Sequence, residues 1–365
     1  MTYQYALSSF PGVDPTGAVD STAAINAAIA SLTHADILVD GTYKINNTGI
    51  IGKSKISLIS NRKGAGVLKA APQTFSPSAG LFNGGYISDF YLGGVVFDWS
   101  LAVNSSLPSV ISLGGCSRFE IENCEIDGQF IFGIGINFAT DFKIKCNRIS
   151  LTAASASQNQ GILISSASGG SSNGWVDENT LINTALDVEM KNASLRGNNI
   201  SSWKFGAGIT TELTANCANL EIIDNMIANG SGTDVNGNTC EGIENWAPRA
   251  FIHRNKVSGC AGDGIDNGGQ NSVVSGNIVY NNGTVAGSGI ASRYADTTHN
   301  ANFSIYDGNQ CFDLNGTSGT QSYGYLDQSA SLSGVVLVNN NFMTNKTGPT
   351  HVLGSGYINA NNKIS

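Results

Sequence analysis

An asparagine recurs along the chain in one setting: a short alternating strand, then Asn-x-aliphatic. It reads 142-FKIKCNRI-149, 220-LEIIDNMI-227, 251-FIHRNKV-257, 273-VVSGNIV-279, 303-FSIYDGNQC-311 and 335-VVLVNNNF-342. Weaker copies bring the set to Asn147, Asn179, Asn198, Asn225, Asn255, Asn277, Asn309, Asn340 and Asn362, spaced 19 to 32 residues apart. That spacing is the range of solenoid coils. Period-2 alternation makes each copy a strand. Asparagine tolerates the left-handed backbone region and suits a tight turn. Stacked coils would align these side chains into an amide ladder. An early copy, 119-FEIENCEI-126, carries Cys124 in the asparagine position.

A second strand falls between the copies, marked by Gly-aliphatic: 133-GIGIN-137, 161-GILIS-165, 206-GAGITTE-212, 242-GIENW-246, 264-GIDNG-268 and 289-GIASRY-294. The stretch 185-ALDVEM-190 fills the same slot without the glycine. Two or three short strands per coil predict a parallel β-helix with a rise of roughly 4.8 Å per turn. The N-terminus differs. Asp20 or Ser21 can cap an alanine-rich helix with Ala23, Ile25, Ala28 and Ile29 at helical spacing. A helix there would cover the open backbone of the first coil. The expected fold is all-β: a single right-handed parallel β-helix domain over 1–365, with a cap and helix in 1–35 and coils in 36–365.

The segment 12-GVDPTGAVDSTAAINAAIA-30, followed by 37-ILVDGTYKI-45, resembles the opening of pectate-lyase-like right-handed β-helix proteins. Asp20, Ala24, Ile25, Ala28, Ile29 and Gly41-Thr42-Tyr43 carry the match, and Asp40 replaces the usual proline. The resemblance implies glycan chemistry. That superfamily includes pectate lyases, polygalacturonase-type hydrolases, alginate epimerases and lyases, fructotransferases and phage tailspike depolymerases.

Only 13% of residues are charged, and the net charge is −8. Such a surface repels nucleic acid and anionic membranes. No apolar run is long enough to span a bilayer, and MTYQYALSSFPG has no secretory signal character. An extracellular or virion-associated setting fits a glycan-active β-helix, as a monomer or a homo-oligomer such as a trimer. The 7 cysteines lack CxxC spacing and read as buried thiols.

In a charge-poor chain, 240-CEGIENW-246 and 260-CAGDGIDNGGQ-270 concentrate carboxylates beside glycines. Aligning the Gly-aliphatic strands on Ile136, Ile162, Ile209, Ile243, Ile265 and Ile290 puts those residues inside the coil. The first outward column is then Asn137, Leu163, Asp187, Thr210, Glu244, Asp266 and Ala291. The second is Ala139, Ser165, Glu189, Glu212, Trp246, Gly268 and Arg293. Asn245 and Asn267 point inward. Asp187, Glu189, Glu212, Glu244 and Asp266 therefore share one face, with Asp263 in the preceding turn. The glycines are expected to keep bulk off the surface where a polymer lies. Like charges on neighbouring strands are destabilising, so their collection asks for a reason.

Glu212, Glu244 and Asp266 are the candidate acid, base or nucleophile. Asp187, Glu189, Trp246, Asp263, Arg293 and Tyr294 are the expected substrate-binding side chains, since Trp stacks on sugar rings and Arg bonds hydroxyls or carboxylates. The first reading is a glycoside hydrolase or transglycosylase acting on an oligo- or polysaccharide, without the Asn-Thr-Asp, Asp-Asp, Gly-His-Gly and Arg-Ile-Lys marks of polygalacturonase-type enzymes. An alternative is a uronate lyase or C5-epimerase. Its Tyr-Gly-x-Asp-Pro-His pattern has a loose echo in 323-YGYLDQ-328, and an acidic surface would ask for Ca²⁺. A third is a non-catalytic carbohydrate-binding or adhesive β-helix. The expected cofactor is none, with Ca²⁺ as the alternative that the oxygen ligands allow. Trp99, Trp175 and Trp203 read as packing residues.

Overall fold

The computed structural model describes residues 4–62, 64–75, 80–104, 109–154, 159–165, 170–235 and 237–364. They form a right-handed parallel β-helix of three long parallel sheets with one α-helix. The chain divides into two compact units, 1–153 with 159–180, and 154–158 with 181–365.

In the first unit the helix Thr22–Ser31 buries Ile25, Ala28 and Ile29. Of the two predicted capping residues only Asp20 reaches the helix with its side chain: its Oδ1 accepts from the Thr22 N–H at 3.0 Å, while Ser21 stands at the N-cap position but its Oγ accepts instead from the Asp14 N–H at 2.9 Å. Asn26 on the helix bonds Gly49 and Ile51, which ties the helix to the strand Ile50–Ile51. Inside the coils, Phe90, Phe119 and Phe142 stack at 5.0 and 5.3 Å, one ring per turn. Here the inward alignment departs from expectation. Ile134, not Ile136, is opposite Ile162, so Gly135 faces Leu163 and Asn137 faces Ser165. The strand Phe132–Asn137 holds two inward isoleucines, each preceded by a glycine, and it is the pair Gly133-Ile134 that aligns with Gly161-Ile162.

In the second unit the amide ladder is present. Asn198, Asn225, Asn255, Asn277, Asn309, Asn340 and Asn362 are linked in sequence, each Nδ2 donating to the next Oδ1 at 2.9–3.0 Å. In the first unit Asn147 donates to Asn179 at 3.0 Å, and Asn147 Oδ1 accepts from the Cys124 N–H at 2.9 Å. The expected reason was turn geometry, and that is corrected. The left-handed residue is the one before each asparagine: Asp224 at φ 57°, Arg254 at 53°, Gly276 at 62° and Gly308 at 65°. The asparagine itself, buried in every case but the half-buried Asn362, closes hydrogen bonds, because buried amides must be paired.

All seven cysteines are free, and six are buried. Trp99 and Trp203 are core residues, but Trp175 is exposed, outward in register with Lys143. No helix of the described residues is long and apolar enough to cross a membrane.

Candidate active site

The strands that build the site are Ala185–Val188, Ile209–Thr211, Ile243–Asn245, Ile265–Asn267 and Ile290–Ser292, paired in that order. Their isoleucines and Leu186 are inward and fully buried. Register then places Asp187, Thr210, Glu244, Asp266 and Ala291 in one column, as the sequence requires. Asn245 and Asn267 point inward and bond each other at 2.8 Å, and Thr211 Oγ1 donates to Asn245 Oδ1 at 3.0 Å.

Two groups of acids result. In the first, Asp187 is buried and hydrogen-bonded to Glu212, and the charges of Glu244 and Glu189 also act on it. Burial is the main reason that its carboxyl is pushed far above the usual range, followed by the Glu212 charge. Both effects favour the protonated form of Asp187. Glu189 is fixed by Thr214 Oγ1, which donates to it at 2.5 Å.

The second group surrounds Arg293. Its Nη1 donates to Glu244 Oε1 at 3.0 Å, Nη2 contacts Asp266 Oδ2, and Glu241 Oε1 lies 3.8 Å away. Trp246 Nε1 donates to the same Glu244 oxygen at 3.1 Å, and the guanidinium lies 5.4 Å from the Trp246 ring centroid. Glu244 is thus held from two sides. Asp266 faces the expected side but is not open. Its side chain is 0% exposed beneath Arg293, and its Oδ1 accepts no hydrogen bond among the described residues. Asp263, expected to be available in the turn, is buried too. It accepts from the Ser288 N–H at 2.5 Å and from Gln328 Nε2 at 3.1 Å. Tyr294 is half-buried, in the loop that its bridge to Asn300 closes.

The glycines have a different purpose from the one expected. A Cβ on Gly264 would lie 2.3 Å from Val279 Cγ1, and one on Gly242 2.2 Å from Val257 Cγ1. Both are demanded by the coil interior. Gly268 is the exception: a Cβ there would lie 2.3 Å from the Trp246 ring, so this glycine lets the indole lie flat across the next coil.

Glu241 was missed. It sits in the turn before Ile243–Asn245, so period-2 reasoning skips it. It lines a cleft of about 390 Å³ with Glu244, Arg293, Asp234, Asn238 and Thr239, and Thr239 Oγ1 donates to it at 3.1 Å. Burial, then the Glu244 charge, pushes it up to about 7; burial pushes Asp263 up to about 6. The only signal in the sequence was its place in 240-CEGIENW-246.

One guanidinium faces Glu241, Glu244, Asp263 and Asp266. The raised carboxyls stay protonated in the folded protein while unfolded ones ionise, so stability falls as pH rises from about 4.5 to 7. Thermal unfolding should show a higher Tm at pH 5 than at pH 8. Glu241→Gln should flatten that dependence by up to about 3 kcal/mol; an unchanged pH profile in the variant would contradict this origin. Among the described residues no group of three or more His, Cys, Asp or Glu side chains is arranged to hold a metal ion.

The family model described as rhamnogalacturonase A/epimerase, pectate lyase-like, matches residues 11–222. The chain belongs to this family. In this member of the family the match takes in Asp187, Glu189 and Glu212 and stops before Glu241, Glu244, Asp266 and Arg293. Among solved structures, the A-module of the mannuronan C-5 epimerase AlgE6 of Azotobacter vinelandii aligns with TM-score 0.78 and 15% identity, over 98% of both chains. The catalytic unit of the GH87 alpha-1,3-glucanase of Streptomyces thermodiastaticus aligns with TM-score 0.64 and 14% identity, over 98% of this chain and 68% of that one. The tailspike of Escherichia coli bacteriophage HK620, solved as its D339N mutant with a pentasaccharide, aligns with TM-score 0.59 and 14% identity, over 93% of this chain and 71% of that one. No curated protein sequence matches the chain.

Proposed function

We propose that this protein is a glycoside hydrolase or transglycosylase acting on a polysaccharide laid across the outer face of the coils around residues 185–293. The observation that carries the reading is the meeting of Asp187, Glu212 and Glu244 from three successive coils, with the Asp187 carboxyl buried against Glu212. Glycoside hydrolysis needs one protonated and one ionised carboxyl flanking the bond. The Asp187–Glu212 pair is the acid, delivering its proton to the leaving oxygen through Glu212. Glu244 is the base, positioned by the donors Trp246 and Arg293. Asp266 works through Arg293, which it anchors from below. Glu212 and Glu244 leave the backbone at diagonal positions of adjacent coils, which generally lie roughly 7–8 Å apart, and we read the reaction as inverting because that chemistry asks for carboxyls roughly 6.5–9.5 Å apart. The glycan-linked names of the structural neighbours, an epimerase, a glucanase and a tailspike holding a pentasaccharide, support the substrate class.

The epimerase reading is weaker on one observation. Asp327, in the 323-YGYLDQ-328 echo, is buried and accepts hydrogen bonds from Tyr325, Tyr357 and the Leu353 and Gly354 amides. It is occupied as an interior anchor. Incubation with a panel of neutral and acidic polysaccharides tests the proposal. New reducing ends of inverted anomeric configuration, without ultraviolet absorbance from an unsaturated product, are expected. An unsaturated product means a lyase, and binding with neither change means a lectin-like module.

A further inference from the structure

A second cavity, of about 570 Å³, lies in the same coils and carries the opposite charge. Its wall includes Lys191, Leu213, Thr214, Arg249, Thr298 and His299. Each of these continues a segment that has just supplied a site residue. Lys191 follows Glu189, Leu213 and Thr214 follow Glu212, Arg249 follows Trp246, and Thr298 and His299 follow Arg293. Thr214 touches both places, donating to Glu189 while lining the cavity. The cavity therefore neighbours the carboxylate face across the turns that lead from its sheet to the next one.

Among the described residues neither Lys191 nor Arg249 has an ion-pair partner, while His299 is held by Asp296 at 2.8 Å. Arg249 is fixed all the same. Its Nε donates to Asn219 Oδ1 at 2.7 Å, and Asn219 Nδ2 donates to Asn192 Oδ1 at 2.8 Å, a polar relay over three coils. A protein with 19 basic and 27 acidic residues has placed two cations in one cavity and left both without a carboxylate. Two cations that line one cavity without a carboxylate partner make it a place that attracts an anion. Leu213, 40% exposed, supplies an apolar floor of the kind a sugar face covers.

We propose that this cavity is a subsite for a sugar unit bearing an anionic group, carboxylate or sulfate, next to the unit whose linkage meets Glu212 and Glu244. The inference rests on the glycan reading above and deepens it. The arrangement separates tasks: anion recognition is kept away from the carboxylates, whose charge would repel it.

Calorimetric titration of the full chain tests it with three probes: a uronate tetrasaccharide, its carboxyl-reduced neutral counterpart, and a sulfated neutral tetrasaccharide. At least one charged probe is expected to bind roughly tenfold tighter or more than the neutral one, as a charge-assisted contact should. The arms tell carboxylate from sulfate. Lys191→Met and Arg249→Gln keep the side-chain stems and should each remove most of that preference, with circular dichroism unchanged. Added salt should weaken the charged probes alone. Equal binding of all three probes, no binding of any, or a preference that survives both substitutions would overturn the subsite. Reducing-end release is a separate readout. A charge preference without turnover would sink the hydrolase reading and leave the subsite standing; turnover without the preference does the reverse.

Discussion

Glu244→Gln should lower turnover by about a thousandfold with the fold intact, within the range that a positioned acid or base contributes. The substitution is nearly isosteric. A glutamine oxygen still accepts from Trp246 Nε1, now bonded at 3.1 Å, so the indole should stay in place. Only the negative charge is lost. Arg293 keeps Asp266 beneath it and Glu241 beside it, which holds the guanidinium in position. The effect should fall on kcat more than on KM, because the carboxylate acts on the attacking water rather than on the resting sugar. Glu212→Gln should be similarly inactive, since it interrupts proton delivery from Asp187. The check is reducing-end release measured beside Tm. Full turnover in Glu244→Gln would remove the proposed mechanism; a collapse of Tm would mean that the carboxylate serves the fold.

Asn255→Ala should cost about 3–4 kcal/mol of stability, a large share of what a domain holds. Asn255 Nδ2 donates to Ile222 O at 2.7 Å and to Asn277 Oδ1 at 3.0 Å. Its Oδ1 accepts from both the Asn225 N–H and Nδ2 at 2.9 Å. Truncation leaves those partners buried and unpaired, and each such group costs about 1–3 kcal/mol. Asn255→Asp should fare little better, because a carboxylate has no N–H for Ile222 O and meets Asn277 Oδ1 as a second acceptor. Asn219→Gly is the control. That residue also links coils, but it is exposed and stands at φ 55°, a conformation that glycine adopts without strain, so water replaces the lost bonds and the cost should stay below about 1 kcal/mol. Urea unfolding of the three variants gives the comparison. Equal losses at Asn255 and Asn219 would show that burial of the ladder is not what makes it matter.

These two sites differ in how far the sequence alone reveals them. The ladder was legible because it repeats: Asn198 to Asn362 recur at one point of every coil, and a solenoid converts recurrence into contact. The outward column of Asp187, Glu244 and Asp266 was legible for the same reason. Alternation by two is a property of the extended backbone, and the inward isoleucines set its phase. The phase slipped at Phe132–Asn137, where two glycines each precede an isoleucine and only neighbouring coils choose between them.

What the sequence by itself determined, then, was the coil, the ladder and the face on which the acids collect, since these follow from local periodicity. Tertiary structure alone decided that Arg293 covers Asp266 and reaches Glu244 from 49 positions away. It also decided that Glu241 turns into the cleft, that Asp187 and Glu212 share a bond, and that Lys191 and Arg249 meet in one cavity. Turns have no fixed side-chain period. The direction of a side chain leaving one is chosen by packing and charge across coils, and that information is spread over residues with no common spacing in the chain.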